Sequence, residues 1–211
     1  MTQRLLALPQ DRVARVGVDG VDGAGKSTFA NELARSLEAL GRRTIRASVD
    51  GFHNPKSVRY RLGRRSPEGY FLDSYDYPVL MEALLDPLAP GRSRRYRTSV
   101  FDHASDSPVS VPEELARPGE ILVFDGLFLH RPELQDKWDF SIFLDVAFDV
   151  SIARCARRDR GFGPPDPRAT ENRRYVEGQR LYLRRCDPRR RATIVVDNND
   201  LAVPRVVSAL D

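Results

Sequence analysis

The sequence predicts an α/β fold, a three-layer sandwich with a mainly parallel five-stranded sheet. Five apolar runs have the pattern of strands, and helical patterns lie between them, which is the alternation that builds parallel sheets. The first run leads directly into a glycine-rich segment and then a helical pattern. The predicted strands are residues 13–19, 44–50, 120–126, 138–146 and 192–198. A chain of 211 residues is long enough for one such domain with a small lid or insertion.

The glycine-rich segment has the pattern of a phosphate-binding loop, or P-loop. It reads Gly-Val-Asp-Gly-Ala-Gly-Lys-Ser-Thr and stands between a strand pattern and a helix predicted over 26–40. Glycines let backbone N–H groups and the helix N-terminus surround anionic oxygens. Lysine adds a positive charge, and the serine hydroxyl can hold Mg²⁺. This context predicts a nucleotide site in a P-loop NTPase fold, formed by Gly20, Asp22, Gly23, Ala24, Gly25, Lys26, Ser27 and Thr28.

Composition indicates an ordinary soluble globule. Charged residues make up 30% and hydrophobic residues 41%. No apolar stretch approaches the roughly 18 residues that a membrane span needs. The net charge is +4, which suits phosphorylated small molecules as well as nucleic acid. Because no basic tail, RNA-binding signature or zinc-finger spacing is present, we expect neither nucleic acid nor a membrane as a partner.

The cysteines and the N-terminal segment indicate the cellular compartment of the protein. Cys155 and Cys186 lack metal-ligand spacing, which fits thiols in a reducing compartment. The apolar run near the N-terminus is too short for a convincing secretory signal. We therefore expect a cytoplasmic protein. The sequence is compatible with a homo-oligomer.

Asp50 ends the second predicted strand and is the first candidate for a catalytic base. The carboxyl ends of parallel strands meet at one edge of a sheet, so its carboxylate should lie at the same edge as the P-loop. A carboxylate there can orient an acceptor hydroxyl and take its proton. The alternative for an acid at a strand end is a turn or a helix cap.

Residues 51–112 are expected to form the acceptor site. Residues 51–75 read as a long irregular connection, and Asp76 then has the local pattern of the N-terminal cap of a helix over 79–88. Alternation over 95–101 and 107–111 predicts a β-hairpin that could wall an acceptor pocket. His103 lies at its tip, where either a catalytic or an ordinary loop histidine fits the pattern.

Two later segments are expected to complete the phosphate site. The apolar strand before Asp125 resembles a Walker B strand, so Asp125 would support the Mg²⁺ that Ser27 holds. A helix over 148–160, a Gly- and Pro-rich hinge and a second helix over about 170–185 have the pattern of a closing lid, at about 154–175. Arg154 and Arg158 lie four residues apart, hence on one helical face, and could neutralise phosphoryl oxygens.

Together these residues resemble the uridine kinase branch of the P-loop kinases, which includes phosphoribulokinase and the bacterial type of pantothenate kinase. The resemblance runs from about residue 14 to 200. It rests on residues 20–28, 48–53, 75–78 and 124–126, and on Arg154 with Arg158 and Asp159.

The resemblance implies roles for single residues. In that family the acid that matches Asp50 is the catalytic base, and the acid that matches Asp76 holds ribose hydroxyls, which replaces the helix-cap interpretation. The arginines that match Arg154 and Arg158 serve the lid. The other candidate contacts with the acceptor are His53, Tyr75, Tyr96 and His103.

Some segments depart from the family pattern. Uridine kinases usually have Glu where this chain has Asp125. Their tyrosine-to-histidine hairpin motif is matched only loosely by Tyr96 and residues 101–103, and that spacing is closer to pantothenate kinase. The P-loop is also similar to that of thymidylate kinase, whose Asp-Arg-Tyr and Ser-Ser motifs are missing here.

The sequence thus predicts a phosphotransferase that uses ATP and Mg²⁺ and acts on the ribose 5′-hydroxyl of uridine or cytidine. Pantothenate and ribulose 5-phosphate stay open as acceptors. A nucleotide-dependent switch that signals through the long loop is a different class of function. Nucleotide turnover without any acceptor would distinguish the switch from the kinase. The Asn-Lys-x-Asp sequence that usually accompanies GTP specificity is not present.

Overall fold

A six-stranded sheet forms the centre of the structure, a computed structural model that describes residues 1–159 and 162–209. Two positions of the predicted elements lie outside the described residues: the lid-helix end at Arg160 and the hinge glycine Gly161. The strands, in chain order, are β1 (Ala14–Gly20), β2 (Thr44–Ser48), β3 (Arg95–Tyr96), β4 (Phe101–Asp102), β5 (Ser107–Pro108), β6 (Glu114–Leu115), β7 (Ile121–Gly126), β8 (Phe140–Asp145), β9 (Ile194–Asp197) and β10 (Arg205–Ala209).

The main sheet has the strand order β10-β9-β8-β1-β7-β2. All five predicted strands are present, and neighbours among them pair in parallel. The prediction of five strands is short by one, because β10 adds an antiparallel edge strand beside β9. Every residue of β10 is exposed, so an edge strand of this kind has no buried face to identify it in the sequence.

The register of three central strands positions the site. Val18 of β1 is paired with Asp125 of β7, and Ser48 of β2 is paired with the same aspartate. The carboxyl ends of these strands therefore lie side by side at one edge, where ligands bind in parallel sheets. The P-loop continues from β1 and Asp50 follows β2, so both leave the sheet at this edge.

The helices join these strands in chain order. They are α1 (Thr2–Leu6), α2 (Lys26–Ala39), α3 (Lys56–Arg59), α4 (Pro67–Asp73), α5 (Tyr77–Leu80), α6 (Phe148–Arg158), α7 (Arg173–Cys186) and α8 (Pro188–Arg191). Short 3₁₀ turns lie at Val49–Phe52, Gln135–Lys137 and Thr170–Asn172, and α5 continues as a π-helical turn over Met81–Leu85. Within the described ranges, no helix has the length and hydropathy that crossing a bilayer requires.

Helices cover both faces of the sheet and complete the three predicted layers. Successive side chains of a strand point to opposite faces. On one face of the sheet, Val16 and Ile142 pack in a core that also contains Leu33 of α2. Phe124 faces the other core, which contains Tyr182 of α7. The sheet is buried on both sides, as expected for parallel strands.

The connection over 51–75 is not irregular as predicted, because it contains α3 and α4. The Ser66 hydroxyl caps α4 by accepting a hydrogen bond from Gly69 N–H at 3.0 Å, and Pro67 occupies the first helical turn. Helices of four and seven residues are too short to show an amphipathic period, which explains the error.

The predicted hairpin over 95–111 is instead two separate ladders. β4 pairs with β5, whereas β3 pairs with β6, which begins beyond the predicted end of the hairpin. Each strand has two residues, too few to establish which run pairs with which.

Gly178 allows α4 and α7 to pack closely. A Cβ atom on Gly178 would lie 2.8 Å from the Pro67 carbonyl oxygen and 2.8 Å from Cδ1 of Tyr70. Both distances are shorter than van der Waals contact, so this position of α7 requires a residue without a side chain. The contact holds α7 against the helix that carries Tyr70.

We expect Gly178→Ala to lower the free energy of unfolding by about 1–3 kcal/mol, the usual effect of overpacking. Alanine favours a helix by about 1 kcal/mol over glycine, but the added methyl group meets a backbone oxygen that cannot rotate away. Urea unfolding measures the change. Arg184→Ala, at an exposed position of the same helix, is the control and should stay within about 0.5 kcal/mol of the wild type. A Gly178→Ala protein as stable as the wild type would contradict the close contact.

Candidate active site

The P-loop between β1 and α2 forms a backbone cradle suited to phosphate. Gly23 and Gly25 have φ values of 69° and 90°, in the left-handed region that favours glycine. A Cβ atom on Gly23 would lie 2.2 Å from the Ser151 carbonyl oxygen in α6. Gly25 is the N-cap of α2, so the loop ends at the unpaired N–H groups and the positive end of the helix dipole. The cradle fits an anionic group.

A cavity in front of the cradle brings together most of the predicted phosphate and metal residues. It is lined by residues 22–23 and 25–28 of the loop, by Asp50 and Asp125, and by Arg158 of α6. Gly20 and Ala24 belong to the loop but do not line this cavity; Gly20 is the last residue of β1.

Asp125 lies beside Ser27, as predicted for a pair that holds Mg²⁺. The Ser27 hydroxyl donates a hydrogen bond to Asp125 Oδ2 at 2.7 Å. Hydroxyl and carboxylate oxygens are ligands that Mg²⁺ prefers, so the pair fits this ion. Arg46 of β2, which the sequence did not indicate, pairs with Asp125 Oδ1 at 2.7 Å. Asp125 is 2% exposed, and a buried carboxylate of this kind needs such a partner.

Asp50 lies in the 3₁₀ turn that follows β2. The Ser48 hydroxyl caps the turn by accepting a hydrogen bond from Asp50 N–H at 3.3 Å. The carboxylate opens onto the cavity, yet the protein that surrounds it desolvates it and raises its pKa, while Lys26 acts in the opposite direction. The Tyr75 hydroxyl lies 3.5 Å from Asp50 Oδ1. A carboxylate with a raised pKa beside a phosphate cavity is a candidate proton acceptor.

An aromatic cleft of about 730 Å³ adjoins the phosphate cavity. The His53 ring packs against Tyr75 and His103, with centroids 4.6 and 4.4 Å away. Phe162 stacks on Tyr175 of α7, with centroids 5.1 Å apart. Three of the predicted acceptor residues, His53, Tyr75 and His103, thus line one cleft.

Four residues line both the phosphate cavity and the aromatic cleft. They are Asp22, Asp50, Leu127 and Arg158. Asp50 therefore stands where a hydroxyl group in the cleft would meet a phosphate in the cradle. This is the position that a general base for phosphoryl transfer requires.

The two lid arginines have different surroundings. Arg158 lines both cavities, whereas Arg154 donates hydrogen bonds to the carbonyl oxygens of Asn198 at 3.0 Å and Asn199 at 2.7 Å. Arg154 thereby ties α6 to the segment after β9. Arg154 does not line the phosphate cavity, and the catalytic roles of both arginines stay predictions.

Asp76 and Tyr96 line neither cavity. Asp76 Oδ1 accepts a hydrogen bond from Val79 N–H at 3.1 Å and caps α5, which is the role that the local pattern predicts. The Tyr96 hydroxyl donates to Glu114 at 3.2 Å. Their contacts with the acceptor, implied by the family resemblance, stay predictions.

Tyr70 and Gln179 hold the Asp22 carboxylate through two hydrogen bonds, a clamp that was not evident from the sequence. The Tyr70 hydroxyl of α4 donates to Asp22 Oδ2 at 2.7 Å, and Gln179 Nε2 of α7 donates to the same oxygen at 3.1 Å. Gln179 Oε1 also accepts a hydrogen bond from Asp22 N–H. Gln179 follows Asp22 by 157 residues, so no local spacing relates the two.

A second buried network anchors the start of the P-loop. The Asp19 carboxylate accepts a hydrogen bond from Gly20 N–H at 2.7 Å and lies 2.7 Å from His130 Nδ1. The Tyr182 hydroxyl donates to the same carboxylate. Asp19, His130 and Tyr182 are buried, so these bonds replace the water that the carboxylate loses on folding. An acid at the end of β1 is visible in the sequence, but its partners are not.

A P-loop at the edge of a mainly parallel sheet, with an acid beside its phosphate cavity, defines the class of P-loop kinases. A model of the phosphoribulokinase / uridine kinase family matches residues 15–162. The chain belongs to this family of phosphotransferases, whose acceptors are alcohol groups. The resemblance drawn from the motifs is thereby confirmed.

Similar proteins act on different acceptors. Phosphoribulokinase of Synechocystis sp. is 29% identical over 187 residues, which cover 82% of this chain and 52% of that protein. The chain thus spans about half the length of that relative. Uridine kinase of Lactobacillus helveticus is 24% identical over 205 residues, 92% of each protein. The structure of a possible uridine kinase from Bacillus stearothermophilus has a TM-score of 0.71 at 23% identity, covers 92% of this chain and 94% of that chain, and supports the fold.

We expect His53 to stay neutral down to about pH 4, because burial lowers its pKa from an ordinary value of 6.5 to about 4. The folded protein favours the neutral ring, so this contribution to stability is present above pH 6.5 and is lost as pH falls toward 4. An NMR titration of the three histidines, assigned with His53→Gln, measures the midpoint. A midpoint near 6.5 would contradict the desolvated position.

Proposed function

We propose that the protein is a nucleoside kinase that uses ATP and Mg²⁺ to phosphorylate the 5′-hydroxyl of uridine or cytidine. The observation that carries this proposal is the position of Asp50 at the junction of the phosphate cavity and the aromatic cleft. Family membership supports a kinase but includes more than one acceptor. The lining of the cleft distinguishes among these acceptors.

The charges around the cleft favour a neutral acceptor. Among the described residues that line it, Arg158 is the permanent cation. Burial lowers the pKa of both His53 and His103, so neither adds a full positive charge at pH 7. The acids of the lining are Asp22, Asp50, Asp102 and Asp159. Ribulose 5-phosphate would bring a phosphate, and pantothenate a carboxylate, among these acids, whereas a nucleoside is uncharged.

The shape of the lining favours a planar group on the acceptor. His53, Tyr75 and His103 form one cluster of rings, and Phe162 with Tyr175 forms a second. Aromatic side chains stack on nucleobases, and this contact contributes about 1–3 kcal/mol per base. A sugar that carries a pyrimidine base fits such walls better than an open-chain acceptor does.

Side chains at the junction of the phosphate cavity and the aromatic cleft carry out the proposed reaction. The Asp50 carboxylate takes the proton of the 5′-hydroxyl while that oxygen bonds to the γ-phosphorus and the bond to ADP breaks. Lys26 and Arg158 stabilise the negative charge on the transferring group. Lys26 Nζ donates to the Val21 carbonyl at 2.8 Å, and it exchanges this partner for a phosphate oxygen.

Ser27 and Asp125 would hold Mg²⁺, which when bound neutralises charge on the phosphate oxygens. Arg158 of α6 and Tyr175 of α7 approach the cleft from the segment predicted as a lid. This placement supports a lid over about 154–175 that excludes water from the transfer.

An acceptor panel tests the proposed function. With ATP and Mg²⁺, we expect ADP release to depend on uridine or cytidine and to be slow with pantothenate or ribulose 5-phosphate. A coupled assay for ADP, with mass spectrometry of the product, measures this. Turnover with pantothenate alone would overturn the nucleoside assignment. Substantial hydrolysis that no acceptor changes would instead favour a nucleotide-dependent switch.

We expect Asp50→Asn to lower kcat by about 10²-fold or more, the scale of general-base catalysis, with ADP affinity retained. In the wild type, kcat should fall as the pH drops through the raised pKa of Asp50, because only the carboxylate takes a proton. Asp149→Asn, at an exposed position of α6, is the matched control and should keep wild-type rates. Unchanged turnover in the Asp50→Asn protein would remove Asp50 from this role.

A further inference from the structure

His103 reaches the aromatic cleft from a turn that lies outside the main sheet. It is exposed between β4 and β5, two strands of two residues that pair apart from that sheet. The His103 ring nevertheless packs on His53, with centroids 4.4 Å apart. A two-stranded ladder of this kind is marginally stable by itself. The position of the ring therefore depends on contacts between the turn and the rest of the protein.

The ladder is attached at its base to the 3₁₀ turn that follows β2. Val100 N–H donates a hydrogen bond to the Gly51 carbonyl oxygen at 2.9 Å. Within the turn between β4 and β5, the Asp102 carboxylate accepts hydrogen bonds from Ala104 N–H at 3.1 Å and Ser105 N–H at 3.0 Å. These contacts fix the base and the shape of the turn, and its far end is held by another contact.

Asp106 ties the far end of the turn to α3. Its Oδ1 accepts hydrogen bonds from Lys56 N–H at 3.0 Å and from Arg59 Nη2 at 2.8 Å. These two contacts form the α3 anchor. Because Asp106 and Arg59 are 47 residues apart, the anchor joins distant segments of the chain beside the cleft.

Arg59 makes the α3 anchor stronger than an ordinary surface ion pair. Arg59 is 4% exposed, and its Nε has no hydrogen-bond partner among the described residues. A buried guanidinium needs a counter-charge, whereas fully exposed pairs contribute little to stability. Burial acts to raise the pKa of Asp106, but the hydrogen bonds from Arg59 and Lys56 outweigh it and lower that pKa. The Asp106 carboxylate is therefore charged at neutral pH, and the contact is charge-assisted.

His103 lies midway between the two attachments, three residues after Val100 and three residues before Asp106. With both ends of this segment tied, the His103 ring stays on His53 and closes one side of the cleft. Loss of the α3 anchor would free the exposed turn, carry His103 away from His53 and open that side.

We propose that Asp106 is a positioning residue for acceptor recognition, whose α3 anchor holds His103 on His53 so that the two rings form a fixed wall for the planar base of the acceptor. This inference rests on the proposed function and adds to it a residue outside the cleft. Asp106 does not line the cleft, and it acts through His103.

Two substitutions of Asp106 remove the anchor to different extents. Asp106→Gly removes both hydrogen bonds, and glycine adopts the φ of 56° at this position without strain. Asp106→Asn keeps an oxygen that accepts from Lys56 N–H but loses the charge that faces Arg59. Asp136→Asn, at an exposed position that lines neither cavity, is the matched control. Thermal unfolding is measured for every variant.

Steady-state kinetics with ATP and uridine measure the effect on the acceptor. We expect Asp106→Gly to raise KM for uridine by about 5- to 30-fold, in the lower part of the range that base stacking contributes. The value of kcat should stay close to that of the wild type, because the wall binds the base equally in the ground state and the transition state. Asp106→Asn should have an intermediate KM, and the Asp136→Asn protein should match the wild type.

An NMR titration of the histidines without ligand separates loss of the wall from a general loss of stability. In Asp106→Gly, the uncovered His53 ring should titrate closer to 6.5 than the wild type, in which burial lowers its pKa to about 4. Loss of the Asp106 charge alone would act in the opposite direction, because a nearby carboxylate raises the pKa of a histidine. A higher pKa of His53 therefore reports lost packing. The other ionisable groups near His53, which these variants keep, are Asp50, Arg59, Tyr75 and His103.

His103→Ala tests whether Asp106 acts through His103. Alone, this substitution should reproduce the higher KM for uridine and the higher pKa of His53. Adding Asp106→Gly to it should then change KM by less than about 2-fold, because residues that act through one contact are not additive.

The inference fails if Asp106→Gly keeps the wild-type KM and the wild-type pKa of His53, or if its effect on KM adds in full to that of His103→Ala. If the glycine variant does not fold, a wild-type KM and pKa in Asp106→Asn would overturn the inference instead. A wild type that phosphorylates no nucleoside refutes the proposed function, while the His53 titration still decides whether the anchor holds His103. The two failures are thereby distinguishable.

Discussion

The parallel register of β1, β7 and β2 is the constraint on which the rest of the site depends. Each of the three strands ends at the same edge of the sheet, so the P-loop, Asp125 and Asp50 emerge close together. A shift of one residue in β7 would turn Asp125 to the opposite face and separate it from Ser27. The two cores that hold helices against the sheet therefore also hold the geometry of the phosphate cavity.

The concentration of acids at this edge has an electrostatic cost that the structure offsets with specific partners. Asp50 and Asp125 share one cavity with Asp22 and lie near Lys26. Arg46 pairs with Asp125, and the donors of the clamp stabilise Asp22. Burial still raises the pKa of Asp22 and of Asp50, so these partners do not fully offset the cost of charged carboxylates at this edge. Perturbed pKa values of this kind are typical of ionisable groups at functional sites.

The clamp also joins the phosphate loop to the walls of the aromatic cleft. Tyr70 lies on α4 and Gln179 on α7, and the two helices meet closely at Gly178. A displacement of either helix would change the orientation of Asp22, which borders both cavities. The phosphate cavity and the aromatic cleft are in this way parts of one packed unit.

The sequence by itself determined the five strands of the parallel sheet and the helices between them along the chain, the P-loop, and the acids Asp50 and Asp125 at strand ends. These depend on local patterns: apolar runs, glycine spacing and an acid directly after a strand. Only the tertiary structure decided that Arg158 faces the cavity while Arg154 bonds carbonyl oxygens, and that β10 extends the sheet. The partners of Asp22 and Asp125 come from up to 157 residues away. Contacts of this kind arise from packing between layers and leave no periodic signal in the chain.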